Sequence, residues 1–356
     1  MVVGQRGVIL VVVLLVLAVV AAISTEIIYR AMQTTQRTNN LLQWDKRYQY
    51  AMAAEQVALQ ALIDDLEDDD KDGTFLDDCV DEKWAIKLPP TPYHDAFIAA
   101  SVQDLQGRFN LNSLVVDNAG AWEADMSQRD ALFRLLGSLM DDATAAPALA
   151  DEMVDWLDSD LLVTGANGAE DAEYRNRRTP NMPILHESEM RALRSFPATQ
   201  QSNPFFWSYF TALPAGARLN VNTAPQPVLE AVLGQGSAAA TDIVKNRQED
   251  PYGDVADVLS LPAIQALPED QRKTLADRLV VASEYFQVVV DVRVEDTVSR
   301  LVTRIHRPQQ GQTRVFSRAV IPILGPLEPQ CHPQYQSAGQ SGGAGITPGG
   351  VGAAGS

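Results

Sequence analysis

Residues 8–23, VILVVVLLVLAVVAAI, form an uncharged apolar run of sixteen residues directly behind a leader of seven, MVVGQRG. The chain continues through Ser24–Tyr29 without Pro or Gly, and good helix formers run on through Ala51–Ala61. One helix over residues 8–66 is the expected element, apolar at its start and amphipathic later, with a membrane-spanning part at about 8–28. The apolar part is a little short of the roughly 20 residues that cross about 30 Å of hydrocarbon, and Ser24 and Thr25 extend it at modest cost. A secretory signal peptide would carry a longer charged start, a shorter apolar stretch and a small-residue cleavage site beyond it. Here the small residue, Gly7, precedes the run. An ordinary single-pass anchor satisfies the same pattern.

Charge constrains the partners of the remainder. With 46 acidic against 28 basic residues, the net charge is −18, which disfavours nucleic acid and anionic headgroups and favours cations. The acid is concentrated: residues 64–82 hold eleven acidic side chains against Lys71 alone, and residues 151–173 hold eight with no Lys or Arg. Cys79 and Cys331 are the only cysteines, too few for a disulfide scaffold or a Cys-rich zinc site. Outside the inner membrane they could form one long-range disulfide. The plain reading is two unrelated thiols, one of them in the tail.

Beyond the helix, residues 67–118 read as an acidic linker and the first part of a sheet, interrupted by Pro89, Pro90 and Pro92, which helix cannot cross. Phe97–Val102 and Arg108–Leu111 have strand character and predict a hairpin around Asp104–Gly107. From 119 to 282 the pattern is helical, with candidates at Ser127–Met140, Pro147–Leu157, Glu187–Ser195, Pro225–Leu233, Ala238–Gln248, Val255–Leu259 and Pro268–Leu279. Residues 283–325 return to strand character in Tyr285–Val294, Ser299–His306 and Thr313–Ile321. Residues 326–356, rich in Gly and Ser, have little to bury and are expected to be disordered. The fold class is therefore α+β: a long helix and a sheet with a large all-α insertion.

The most chemically suggestive segment is DEMVDWLDSDLLVTGANGAEDAEYRNRRTPN. Asp151, Asp155 and Asp158 lie at helical spacing, and a loop with Gly165, Asn167 and Gly168 then leads to Glu170 and Asp171. Such a loop can curl hard oxygens around one point, as Ca²⁺ requires with six to eight ligands at about 2.3–2.6 Å. Mg²⁺ demands a tighter octahedron and keeps its waters. The plain alternative is a solvated acidic helix and loop anchored by Trp156. A second string, Asp68, Asp70, Asp72 and Gly73, copies the first half of an EF-hand loop but has Cys79 where a bidentate Glu belongs, so it reads as a solvated linker.

The leader ending in Gly7 before the apolar run resembles the type IV pilin and type II secretion pseudopilin superfamily. That resemblance implies cleavage by a prepilin peptidase between Gly7 and Val8, methylation of the new N-terminus, and Arg6 as the cytoplasmic charge. Most members have Glu at the fifth mature position, whereas this chain has Val12. Val12, the inserted helical domain, GRFNLNSL, the stretch from DWLDSD to GAED, and LNVNTAP together resemble the minor pseudopilin K family. The family resemblance implies a pseudopilin antiparallel sheet interrupted by a helix-hairpin-helix-like, SAM-like insertion. It also implies a non-enzymatic subunit at the pseudopilus tip, anchored in the inner membrane of a Gram-negative bacterium with its bulk in the periplasm. The implied partners are minor pseudopilins I and J, then H, with the secretin or exported substrates further candidates. Carried over by residue, Asp158, Asp160, Glu170, Asp171 and Asn181 become calcium ligands or their close neighbours.

Other motifs support this reading less directly. Helix-hairpin-helix units can bind DNA, but near RLNVNTAPQPVLEAVLGQGSAAATDIVKNRQED the cations Lys245 and Arg247 face Asp242, Glu249, Asp250 and Asp254, so packing or partner docking is expected instead. None of His94, His186, His306 and His332 falls in H-E-x-x-H. Two alternatives stay open on the residues alone: a membrane-tethered periplasmic enzyme with a catalytic metal, and a tip subunit of a type IV pilus or competence system.

Overall fold

The computed structural model describes residues 5–73, 75–77, 79, 82–85, 89–140, 143–201, 203–234 and 238–323. Helix α1 spans Gln5–Asp72, 68 residues or about 100 Å at the usual rise. It runs six residues past the expected end at Leu66 because no helix breaker occurs before Gly73, which stops it with φ +72°. The acidic string at 68–72 is thus helical, and Asp68 pairs with Lys71 and Lys83. The N-terminal part of α1 is long and apolar enough to cross a membrane, and its side chains from Ile9 to Ile28 are exposed.

Strands β1 (Thr91–Tyr93) and β2 (Ala96–Asp104) begin the main sheet. The chain then leaves it for a long excursion. First come β3 (Phe109–Asn110), the hairpin β4 (Val115–Asn118) and β5 (Ala121–Ala124), and helices α2 (Met126–Leu139) and α3 (Ala146–Leu157). After a loop region follow α4 (Pro204–Trp207), β6 (Phe210–Thr211) and β7 (Leu219–Asn220). Helices α5 (Gln226–Leu233), α6 (Ala238–Asn246), α7 (Val255–Leu259), α8 (Pro262–Gln265) and α9 (Glu269–Arg278) precede β8 (Leu279–Val280). The sheet resumes with β9 (Tyr285–Val294), β10 (Thr297–His306) and β11 (Arg314–Ile321), giving the antiparallel order β1-β2-β9-β10-β11.

Three expectations are corrected. Phe97–Val102 and Arg108–Leu111 do not form a hairpin: β2 pairs with β1 and β9, whereas β3 pairs in parallel with β6. The stretch after Asp104 is an exit from the sheet, fixed by long-range bonds. The Asp104 carboxylate accepts from the Gln106 amide at 2.7 Å and from the hydroxyls of Thr223 and Ser283 at 2.5 and 2.6 Å. The excursion also begins before residue 119, because Phe109, Leu111, Leu114 and Val115 join its core with α2 and α3. The stretch expected as helix Glu187–Ser195 is a 3₁₀ helix over Glu187–Ala192.

Three cores result. Ala51, Ala58 and Leu62 of α1, at helical spacing, pack on Val288, Val290, Val292, Leu301 and Ile305 of the sheet. A second core joins α2 and α3 to Tyr209, Phe210 and the loops between, and a third fills the α5–α9 unit. Arg247, counted above as a cation near the helix hairpin, is buried and donates to the Val221 carbonyl. It holds the hairpin together from inside.

The polarity of the head follows from its ion pairs. At the end nearer the apolar helix, Lys46 of α1 bonds Asp95 in the β1–β2 turn. At the other end, Arg307 after β10 bonds Asp65 of α1 at 2.8 Å and Asp77 of the linker at 2.7 and 2.9 Å. Asp104 and Phe286, where the chain leaves and re-enters the sheet, are register partners at that same end. The insertion therefore sits on the end of the head remote from the apolar helix. Glu187 of the insertion also binds Arg304 of β10 through both carboxylate oxygens, at 2.6 and 2.7 Å.

Candidate metal centre

Helix α3 starts with Pro147 in its first turn and carries three buried acids, Asp151, Glu152 and Asp155, among apolar side chains. Such acids need partners. Asp151 has Arg129, whose Nε lies at 2.7 Å. Glu152 accepts from Arg194 at 3.1 Å, the Ser195 amide at 2.9 Å and the Ser195 hydroxyl at 2.7 Å. Asp155 is only half served: Oδ1 accepts the Thr164 amide at 2.8 Å, while Oδ2 is buried without a partner.

Asp158 ends the helix in extended conformation, its amide still donating to Val154, and turns its side chain inward. Its Oδ1 is also buried and unpartnered. The loop returns through Gly165 and Gly168 to Glu170, whose Oε2 accepts the Thr179 hydroxyl at 3.0 Å and whose Oε1 has no partner. Gly168 is obligatory for this approach: a Cβ there would lie 2.2 Å from Asp155 Oδ2 and 2.6 Å from the Thr164 carbonyl. Carboxylate oxygens of Asp155, Asp158 and Glu170 thus all fall within 4.8 Å of one another. Asn181, at φ +51°, donates from Nδ2 to the Asp160 carbonyl at 2.9 Å and keeps a buried, unpartnered Oδ1. Trp156 packs edge-on against Tyr174 beneath the loop.

Without a cation this arrangement is electrostatically unfavourable, and the acidities record it. Burial, then the charges of Asp160, Asp155 and Glu170, pushes the Asp158 carboxyl up to about 8. Burial and the neighbouring carboxylates push Glu170 up to about 7 against the pull of the Thr179 hydroxyl, and burial raises Asp155 as well. Four unpartnered buried oxygens, three of them on carboxylates, form a hard donor set of the kind that suits Ca²⁺.

Of the five residues carried over by resemblance, the fold brings the carboxylates of Asp158 and Glu170 together and leaves Asn181 with a free oxygen. The other two are engaged elsewhere. The Asp160 side chain accepts the Leu162 amide at 2.7 Å, and Asp171 accepts the amide and hydroxyl of Thr179 at 2.9 and 3.1 Å. Asp155, placed with Asp158 by their helical spacing in the sequence but not among the residues carried over by resemblance, completes the cluster. Gly7 and Val8 lie on the helical backbone of α1. Cys79 is not a free thiol, and Cys331 lies outside the described residues.

Comparison with known proteins places this architecture. Two family models described as type II secretion system, protein K, match residues 107–205 and 219–282, the two halves of the insertion. The type II secretion system protein K of Pseudomonas aeruginosa is 31% identical over 320 residues, covering 88% of this chain and 92% of that protein. The chain belongs to the type II secretion system protein K family. Family members from Aeromonas hydrophila and Klebsiella pneumoniae are 29% and 30% identical, over 88% and 87% of this chain and 96% and 94% of theirs. The crystal structure of the GspK-GspI-GspJ complex from enterotoxigenic Escherichia coli contains a similar chain, with a TM-score of 0.68 and 25% identity. The match covers 81% of this chain and 100% of that one. A model described as ATPase proteolipid family matches residues 2–41, the stretch that contains the apolar run of α1. The protein is accordingly a minor pseudopilin of the type II secretion system.

Proposed function

We propose that this subunit caps the tip of the pseudopilus and works by shape, without chemistry of its own. The observation that carries this is the polarity of the head: the apolar helix enters at one end, and the whole insertion between Asp104 and Tyr285 sits on the other. A subunit added above would meet that bulk. The reading has α1 cut between Gly7 and Val8 by a prepilin peptidase and methylated, then held in the inner membrane with the head in the periplasm. Pseudopilins I and J are the partners, by analogy with the complex in which the structural neighbour was solved, and H would follow below. The test is co-purification of the full chain with I and J from membranes. Capture of both supports the reading, and a chain that retains its leader and recovers neither overturns it.

The reading includes calcium as a structural ion. Asp155, Asp158 and Glu170 would hold it, with the Asn181 oxygen and the carbonyls of the loop as further donors, and a bound dication would compensate the charge that these carboxylates bring together. The fit rests on the unpartnered oxygens of those four side chains. It also includes a disulfide between Cys79 and Cys331, which mass spectrometry of non-reduced peptides would detect.

A further inference from the structure

The segments that carry Asp155, Asp158, Glu170 and Asn181 also carry apolar side chains that the described residues leave exposed. Leu161 and Leu162, just after Asp160, are 70% and 75% exposed, and Met182, next to Asn181, is 55% exposed. Single exposed leucines are ordinary, but a consecutive pair beside a third apolar side chain is the start of a patch. The bond from Asn181 to the Asp160 carbonyl joins the two loops at this point.

Cations stand beside this patch, on the same loops as the exposed Asp160 and Glu173. In a chain of net charge −18, Arg175, Arg177 and Arg178 stand exposed within four positions. Arg177 is aimed by stacking over the Tyr174 ring at 5.7 Å, and the Arg178 side chain is 87% exposed, 3.7 Å from Asp171. Thr179 ties this stretch to Glu170. Aliphatic anchors beside arginines are the composition of an interface core, and arginine selects carboxylates.

We propose that these two loops form a metal-ordered docking surface for an acidic polypeptide segment with aliphatic anchors, its leucine-like side chains on Leu161, Leu162 and Met182 and its carboxylates on the arginines. The proposal rests on the calcium reading: a dication held by Asp155, Asp158 and Glu170 would tie together the loops that make the surface.

The test uses the full chain in non-ionic detergent and two labelled peptides, one repeating Leu-Glu-Glu and one repeating Leu-Lys-Lys. Fluorescence anisotropy is read against protein-free micelles in excess calcium or in EDTA. The expected result is binding of the Glu peptide in calcium, about tenfold weaker binding in EDTA, and a similar loss in Leu161→Asp/Leu162→Asp and in Arg177→Glu/Arg178→Glu. These side chains are exposed, so a thermal melt checks that each variant stays folded and still responds to calcium. Equal binding of both peptides, no binding of either, or binding indifferent to the variants overturns the docking surface. A chain whose melting temperature ignores calcium overturns the metal reading itself, whereas a calcium response without peptide capture removes the docking surface alone.

Discussion

By proximity alone, two groups of acids in this molecule are equals. Asp65, Asp77 and Glu82 at the junction of α1, linker and insertion place oxygens within 4.8 Å of one another, as do Asp155, Asp158 and Glu170 behind α3. Their hydrogen bonds separate them. At the junction Arg307 enters the cluster, giving both guanidinium ends to Asp65 and Asp77, while the Ser283 amide serves Asp77 and nearby Asp104 takes two hydroxyls and an amide. Behind α3 no Lys or Arg among the described residues is paired with Asp155, Asp158 or Glu170, and each of the three carboxylates keeps an oxygen without a partner. Buried acid is a metal site only where the fold has left its charge unanswered. Where an arginine from 230 residues away answers it, the same residue types become a structural clamp.

The strongest way to break that contrast is to remove the internal cation. Arg307→Met leaves Asp65 and Asp77 buried without compensation and should lower stability by about 3–5 kcal/mol in urea unfolding of the detergent-solubilised chain. A loss under about 1 kcal/mol would mean that the junction does not depend on its arginine. Calcium should act on the other cluster. At 100 times its dissociation constant it should stabilise by about 2.7 kcal/mol, and Asp158→Asn should abolish that response. If the response survives Asp158→Asn, the ion sits elsewhere and the contrast fails. The glycine between the two halves of the loop tests the geometry more finely. Gly168→Ala puts a methyl into Asp155 Oδ2, so calcium affinity should fall about 10–100-fold in a calorimetric titration while Arg307-dependent stability is untouched.

How far these clusters could be read in advance differs for a physical reason. Tyr285–Val294 and Val255–Leu259 were legible to the residue, because a β-branched run and a short capped helix are local statements. The Asp104 turn was not. Asp-Leu-Gln-Gly reads as a hairpin turn until Thr223 and Ser283 arrive from 119 and 179 residues away to bind the carboxylate. The acidic loop was legible as a cluster of carboxylates, but not which of them the fold would bring together. Asp160 and Asp171 look equivalent to Asp155 in the sequence, and only the folded loop brings Asp155 within 4.8 Å of Asp158 and Glu170 with a buried oxygen left unpartnered.

Acidity offers a gentler test of the same cluster. Asp158 and Glu170 bind protons more tightly in the metal-free fold than in the unfolded chain, with folded values near 8 and 7. Their contribution is fully present at low pH and is lost as pH rises from the ordinary carboxylate range near 4 towards 8. In EDTA, Asp158→Asn should therefore gain stability relative to the parent between about pH 5 and 8. In calcium, which needs the ionised carboxylates, the order should reverse at the upper end. An Asn variant that tracks the parent across this range would mean that Asp158 titrates as an exposed acid does.

The smallest effect belongs to the acids that neither cluster uses. Asp70 is exposed on the last turns of α1, with the helix closing at Gly73 instead of curling into a calcium loop. Asp70→Asn should change stability by no more than about 0.5 kcal/mol and leave the calcium-dependent shift in melting temperature as it is in the parent. A reduced shift would place a second ion at the foot of the linker, where D-x-D-x-D-G would be acting as a ligand loop despite its helical backbone. The contrast would then lie between two metal sites, one built from buried oxygens and one from a frayed helix end.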